Sequence, residues 1–73
     1  MDLLTLIDSV PGVRSGKPTF IGTRITVYDV LEYLASGMST AEIVDDFPEL
    51  TPDHVRAALW FAAARERRLA TPA

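Results

Sequence analysis

The sequence predicts a small, mainly α domain fronted by a β hairpin, in the order β-β-β-α-α-α, with a helix-turn-helix-like pair at its end. Three observations predict it. Short β-branched and aromatic runs, "TFI" and "RITV", flank Gly22 and Thr23. Two capping-box signals, Thr26 with Asp29 and Ser39 with Glu42, each precede an apolar face of helical spacing. Finally, "TPDHV" opens a long run of helix formers, with proline where a helix tolerates it. One domain is expected over residues 1–73, its strands within about 3–27 and its helical part over about 27–68.

Taken in order, "LLTLI" at residues 3–7 reads as a short strand. "SVPGVRSGKP" is rich in Gly, Pro and Ser and reads as loop. "TFI" and "RITV" then read as two short strands around a tight turn, with Gly22 free to take positive φ. A first helix is expected over about 27–36: Val27, Val30, Leu31 and Leu34 share a face, and Gly37 sits where a left-handed C′ residue belongs. A second helix starts at the Ser39 cap, turns Ile43, Val44 and Phe47 inward, and is stopped by Pro48. Thr51 caps the third helix, with Pro52 first and Val55, Ala58, Leu59 and Ala62 as its inner stripe, running to about Arg68 before a frayed "TPA".

Composition narrows the possible functions. Of 73 residues, 48% are hydrophobic and 23% charged, which is globular rather than disordered composition. With no cysteine there is no disulfide or thiolate metal site, and one histidine cannot make a zinc site alone. So short a domain buries only about 60% of its unfolded surface, and unstapled domains of this size often oligomerise. A homodimer or bound partner is therefore expected. Apolar runs are too short to span a membrane, "MDLLTLIDSV" lacks the basic start of a signal peptide, and the expected location is cytoplasmic.

Charge is unevenly placed. Residues 39–55 carry Glu42, Asp45, Asp46, Glu49 and Asp53 and no base, whereas residues 56–73 carry Arg56, Arg65, Arg67 and Arg68 against Glu66. The whole chain is at −3, which disfavours strong DNA binding by a lone monomer.

Several candidate sites follow. Lys17 and Arg24 flank the glycine turn and could meet an anion, or Arg24 could tie the turn to an acidic side chain of the helices. Pro18 after the lysine, and a strand rather than a helix beyond, exclude a phosphate loop; the structural tie is the favoured reading. The acidic set Asp45, Asp46, Glu49 and Asp53 lacks the alternating spacing of a calcium loop and reads as a solvated face or a surface for a basic partner. Trp60 and Phe61 are neighbours and leave the helix about 100° apart. Both could fill the core, or one of them, with Tyr33, could serve a dimer or partner surface. His54, Arg56, Arg65, Arg67 and Arg68 are candidate DNA contacts, with Arg14 or Lys17 on phosphates, although Asp53 would repel phosphate there. A basic helix end also suits the helix dipole. No titratable pair at a catalytic spacing stands out, so no enzyme, no cofactor and no metal are expected.

Gly16-Lys17-Pro18, Gly22-Thr23-Arg24-Ile25, Val27, Gly37-Met38-Ser39 and "EIVDDFPELTPDHVRAAL" together resemble the domain of unknown function 433 family, over about residues 7–64. Phe20 departs from that pattern, where an aliphatic residue is usual. The resemblance implies a small helix-turn-helix-like antitoxin, dimeric, often encoded beside a PIN-like ribonuclease. Such antitoxins bind and block the nuclease, and many repress their own promoter. The signature carried over is Gly16, Lys17, Pro18, Gly22, Thr23 and Arg24. The leading expectation is a non-enzymatic antitoxin that neutralises a PIN-like ribonuclease; the alternative is a helix-turn-helix transcriptional repressor acting on promoter DNA.

Overall fold

The computed structural model describes residues 2–9 and 11–69, with side chains as far as Arg65; the expected tail at 71–73 lies outside the described residues. A two-strand antiparallel hairpin is followed by three helices. The strands are β1 (Ile7–Asp8) and β2 (Thr19–Phe20), paired Ile7 to Phe20 and Asp8 to Thr19. The helices are α1 (Val27–Ala35), α2 (Thr40–Asp46) and α3 (Pro52–Leu69).

The start of the chain differs from the strand expected at residues 3–7. Leu3–Leu6 form a 3₁₀ turn. Asp2 Oδ1 accepts the Leu4 N–H at 3.0 Å, and the Asp2 carbonyl accepts the Thr5 N–H and hydroxyl at 3.2 and 2.8 Å. Asp2 thus offers this segment a local alternative to a ladder, and only Ile7 and Asp8 remain to pair. The third expected strand, "RITV", is reduced to a single bridge between Thr19 and Thr26. Thr26 is already committed as the α1 cap, so the chain turns helical at Val27 before a strand can extend.

The helix boundaries follow the capping chemistry. Thr26 Oγ1 accepts the Asp29 N–H at 2.9 Å, and Asp29 Oδ2 accepts the Thr26 N–H at 3.0 Å. Ser39 and Glu42 repeat this box at 3.2 and 2.9 Å. At the end of α1, Met38 N–H reaches the Tyr33 carbonyl and Gly37 N–H reaches Leu34, both at 3.1 Å, with Gly37 at φ +103°. That is a Schellman closure, which needs a left-handed residue at Gly37.

The core sits where α3 crosses the leading turn, α1 and α2. Phe20, Val27, Val30, Ile43, Leu50, Val55, Ala57 and Ala58 are buried, and Leu3 joins them. Phe20, the departure from the family pattern, is the bulkiest fully buried side chain. Leu59 is a correction: expected on the inner stripe of α3, it is half exposed, and Ala57 is buried instead. The buried arc of α3 spans Ala57, Ala58 and the half-buried Phe61, so Leu59 swings about 100° past Ala58 toward solvent.

Candidate interaction surface

The signature stretch is a brace made largely of backbone. Phe20 N–H donates to the Ile25 carbonyl at 3.0 Å, and Val27 N–H donates to the Pro18 carbonyl at 2.9 Å. Thr23 Oγ1 donates to the Phe20 carbonyl and accepts the Ile25 N–H, both at 3.0 Å. Gly22 takes φ +82° at the exposed tip, and Gly16 takes φ +76° at the end of a short 3₁₀ turn, Arg14–Gly16. Lys17 is exposed, and its N–H closes that turn onto the Arg14 carbonyl at 3.2 Å.

The tie between hairpin and helices is carried by Arg14, not by Arg24. Arg14 Nη1 lies 3.3 Å from Asp29 Oδ2 and donates to the Arg24 carbonyl at 3.0 Å. The Arg24 side chain is exposed and pairs with none of the described carboxylates. Arg14 reaches Asp29 because the chain reverses at Arg14 and Ser15, both at positive φ (48° and 58°). Sequence reasoning missed this, since two consecutive left-handed non-glycine residues leave no signature in composition.

The aromatic candidates divide. Tyr33 is half-buried and stacks on Phe47, centroids 5.1 Å apart and planes at 27°. Phe61 is half-buried against the edge of Tyr28 at 6.3 Å. Trp60 stands outward, 51% exposed, and the residue beside it on that face is Leu59. Two grooves border this ring and share Arg56 and Trp60 as lining. One, of about 540 Å³, runs between the leading turn and α3 along Asp2, Leu3, Leu4, Asp53, Arg56 and Trp60. The other, of about 290 Å³, is lined by Arg56, Leu59, Trp60 and Ala63.

The candidate DNA contacts are dispersed. His54 is half-buried with its ring edge-on to Phe20, centroids 5.2 Å apart. Its Nδ1 accepts the Thr51 N–H at 2.9 Å and lies 3.0 Å from Thr51 Oγ1. An amide can only donate, so Nδ1 carries no proton and acts as the α3 cap acceptor. Arg56 is exposed and 3.9 Å from Asp53. Arg65 is exposed nine residues later, which places it about 180° around α3 from Arg56. The side chains of Arg67 and Arg68 lie outside the described residues.

On α2, Glu42, Asp45 and Asp46 are exposed, and Glu49 continues the row past the helix end. Among the described residues no cation pairs with them. Serine 39 holds Glu42 below its ordinary carboxylate range, chiefly through its backbone N–H and then its hydroxyl. No group of three His, Asp or Glu among the described residues is arranged to hold a metal ion. None of the described helices is long and apolar enough to cross a membrane.

Fold and surface together define a small, mainly α three-helix domain whose charged and apolar faces are both turned to solvent. The chain belongs to the family described as "Protein of unknown function (DUF433)", whose model matches residues 7–62. It is similar to the crystal structure of a DUF433 member protein from Anabaena variabilis, with TM-score 0.79 and 27% identity over 86% of this chain and 62% of that one. It is also 33% identical over 63 residues to uncharacterized protein y4eO of Sinorhizobium fredii, covering 86% of this chain and 28% of the relative. The chain thus spans under two thirds of each, and little more than a quarter of y4eO.

Proposed function

We propose that this chain is an antitoxin-like protein that works as a homodimer and neutralises a PIN-like ribonuclease by covering it with the acidic face of α2. The observation that carries this reading is the row Glu42, Asp45, Asp46 and Glu49, exposed and unneutralised among the described residues. A nuclease that binds RNA needs a basic surface, and an anionic row complements such a surface and speeds encounter with it. The same row repels nucleic-acid phosphates, which is why protein binding is preferred to DNA binding. The test is co-expression with any PIN-like ribonuclease found encoded beside this chain. Co-purification and restored growth are expected, with both weakened when Asp45 and Asp46 are changed to lysine. A nuclease that neither co-purifies nor is silenced removes the proposal.

The alternative, a promoter-binding repressor, draws support from the α2–α3 pair joined by a short turn and from the exposed Arg56 early in α3. Against it, Arg56 and Arg65 lie on opposite sides of α3, and His54 is engaged in the helix cap. A gel shift with the promoter at low salt, with and without the nuclease, decides it; an unretarded fragment rejects it.

A further inference from the structure

We infer that the groove between the leading turn and α3 is a seat for one arginine side chain of a protein partner, its guanidinium held by Asp2 and Asp53 and its stem laid along Leu3, Leu4 and Trp60. The ribonuclease of the proposed function is the expected supplier of that arginine, and only this part rests on that reading. The ionisable side chains lining the groove are Asp2, Asp53 and Arg56, so two carboxylates face a single guanidinium and one negative charge is left over. Asp2 Oδ1 is taken by the Leu4 N–H, and Asp53 Oδ1 lies 3.9 Å from Arg56, beyond hydrogen-bond reach. Among the described residues the second oxygen of each carboxylate has no partner.

The rest of the lining is apolar, and the mixture selects the occupant. Leu3 is buried, Leu4 and Trp60 are 38% and 51% exposed, and among the described residues no ring or cation stacks on Trp60. A purely apolar occupant would take both carboxylates out of water without pairing them, which is costly. A phosphate or an acidic segment meets like charge. A lysine ammonium answers the carboxylates only as a hydrated point charge. Arginine matches the whole lining: its methylene stem lies on leucine, and its planar guanidinium grips a carboxylate with two N–H groups while stacking on the indole. Asp53 also belongs to the acidic stretch 39–55, so the basic surface which that stretch attracts is drawn toward this groove as well.

The test titrates the full chain, at low salt, with the capped tripeptide leucine-arginine-leucine, and with the same peptide carrying citrulline or leucine at its centre. Trp60 is the sole tryptophan, so its emission reports on the groove. The arginine peptide is expected to give a saturable shift to the blue. Citrulline, which keeps the shape and loses the charge, is expected to bind about tenfold more weakly. Asp2→Asn/Asp53→Asn is expected to cost the arginine peptide about tenfold with the helical circular dichroism kept, since asparagine retains an oxygen for the Leu4 N–H. Arg56→Gln removes the cation already in the groove and is expected to tighten binding about threefold, a gain that a merely structural role would not produce. Ile21→Gln, at an apolar residue 60% exposed on the hairpin tip, is expected to change nothing. Should the double variant unfold, Asp53→Asn alone is measured, with about a threefold loss expected. An unresponsive Trp60, equal binding of the citrulline or leucine peptide, or weaker binding by Arg56→Gln overturns the inference. So does Trp60 emission that shifts on dilution of the chain alone, which makes a second copy the occupant. Ribonuclease capture is scored separately. A chain that binds the arginine peptide but no nuclease refutes the functional reading alone, and a chain that captures nuclease but not the peptide refutes the arginine seat alone.

Discussion

Arg14 and Asp29, fifteen residues apart, clamp the loop before β2 onto the start of α1, with Nη1 and Oδ2 at 3.3 Å. The same nitrogen donates to the Arg24 carbonyl, and the same carboxylate oxygen accepts the Thr26 N–H. One guanidinium therefore links the loop, the glycine turn and the helix cap. The pair is partly exposed, its side chains 39% and 29% accessible, so its direct contribution is modest, about 0.5–1 kcal/mol. Arg14→Ala is expected to lower the melting temperature by roughly 2–8 °C. Arg24→Ala, whose side chain the fold does not use, is expected to leave it within about a degree or two. Thermal denaturation of the two variants checks this, and equal losses would restore Arg24 as a tie.

The brace around Gly22 makes a second prediction. Gly22 sits at φ +82°, and a methyl group added there would meet no atom within 4 Å. The cost of Gly22→Ala is therefore conformational rather than steric, about 1–2 kcal/mol for a side chain forced left-handed. Asn tolerates that region better, so Gly22→Asn is expected to cost less than Gly22→Ala in urea denaturation. Reversal of that order would mean the turn is held by something other than backbone preference.

His54 allows the two roles of one ring to be separated. The Nδ1 lone pair closes the Thr51 end of α3, and the ring face-to-edge contact packs Phe20. His54→Ala loses both, about 1 kcal/mol for the cap and about 0.5–1.5 kcal/mol for the ring pair. His54→Glu places a capping-box carboxylate three residues after Thr51 and recovers the first part only. Chemical denaturation is expected to rank native above Glu above Ala. Glu no better than Ala would show that the cap contributes nothing measurable.

Legibility in the sequence followed interaction range. Thr26 with Asp29, Ser39 with Glu42 and Gly37 were readable because each acts within three or four residues. The α1 start and end and both capping boxes stand where local chemistry puts them. Pairing across distance was not readable. Residues 3–7 carry strand-like side chains, yet Asp2 folds Leu3–Leu6 into a turn, and β2 pairs along Ile7–Asp8 while "RITV" keeps only the Thr19–Thr26 bridge. Leu59 was misplaced because a stripe drawn through Val55 and Ala62 ignores the leading turn, which packs on α3 and shifts its buried arc toward Ala57. The candidate surface was half legible: Trp60 stood out as an aromatic beyond one face, but Tyr33 and Phe61 find ring partners, Phe47 and Tyr28, that only the fold supplies.

Glu42 gives the pH prediction. In the folded chain the Ser39 backbone N–H, and after it the Ser39 hydroxyl, favour the ionised carboxylate and hold it below its ordinary 4.5. The unfolded chain has no such cap, so it binds more protons than the folded chain across that window. Stability from this group is therefore fully present above the ordinary value and is lost as pH falls through the lowered folded value. Glu42→Gln keeps an oxygen that can accept the Ser39 N–H but does not titrate. Melting temperatures measured from neutral pH down into the acid range are expected to converge, the native chain losing its advantage over Glu42→Gln as the carboxylate is protonated. The other carboxylates titrate in both chains and cancel in the difference. Parallel curves would show that Glu42 is held no more tightly in the folded state than in the unfolded one, and that the α2 cap rests on the Ser39 hydroxyl alone.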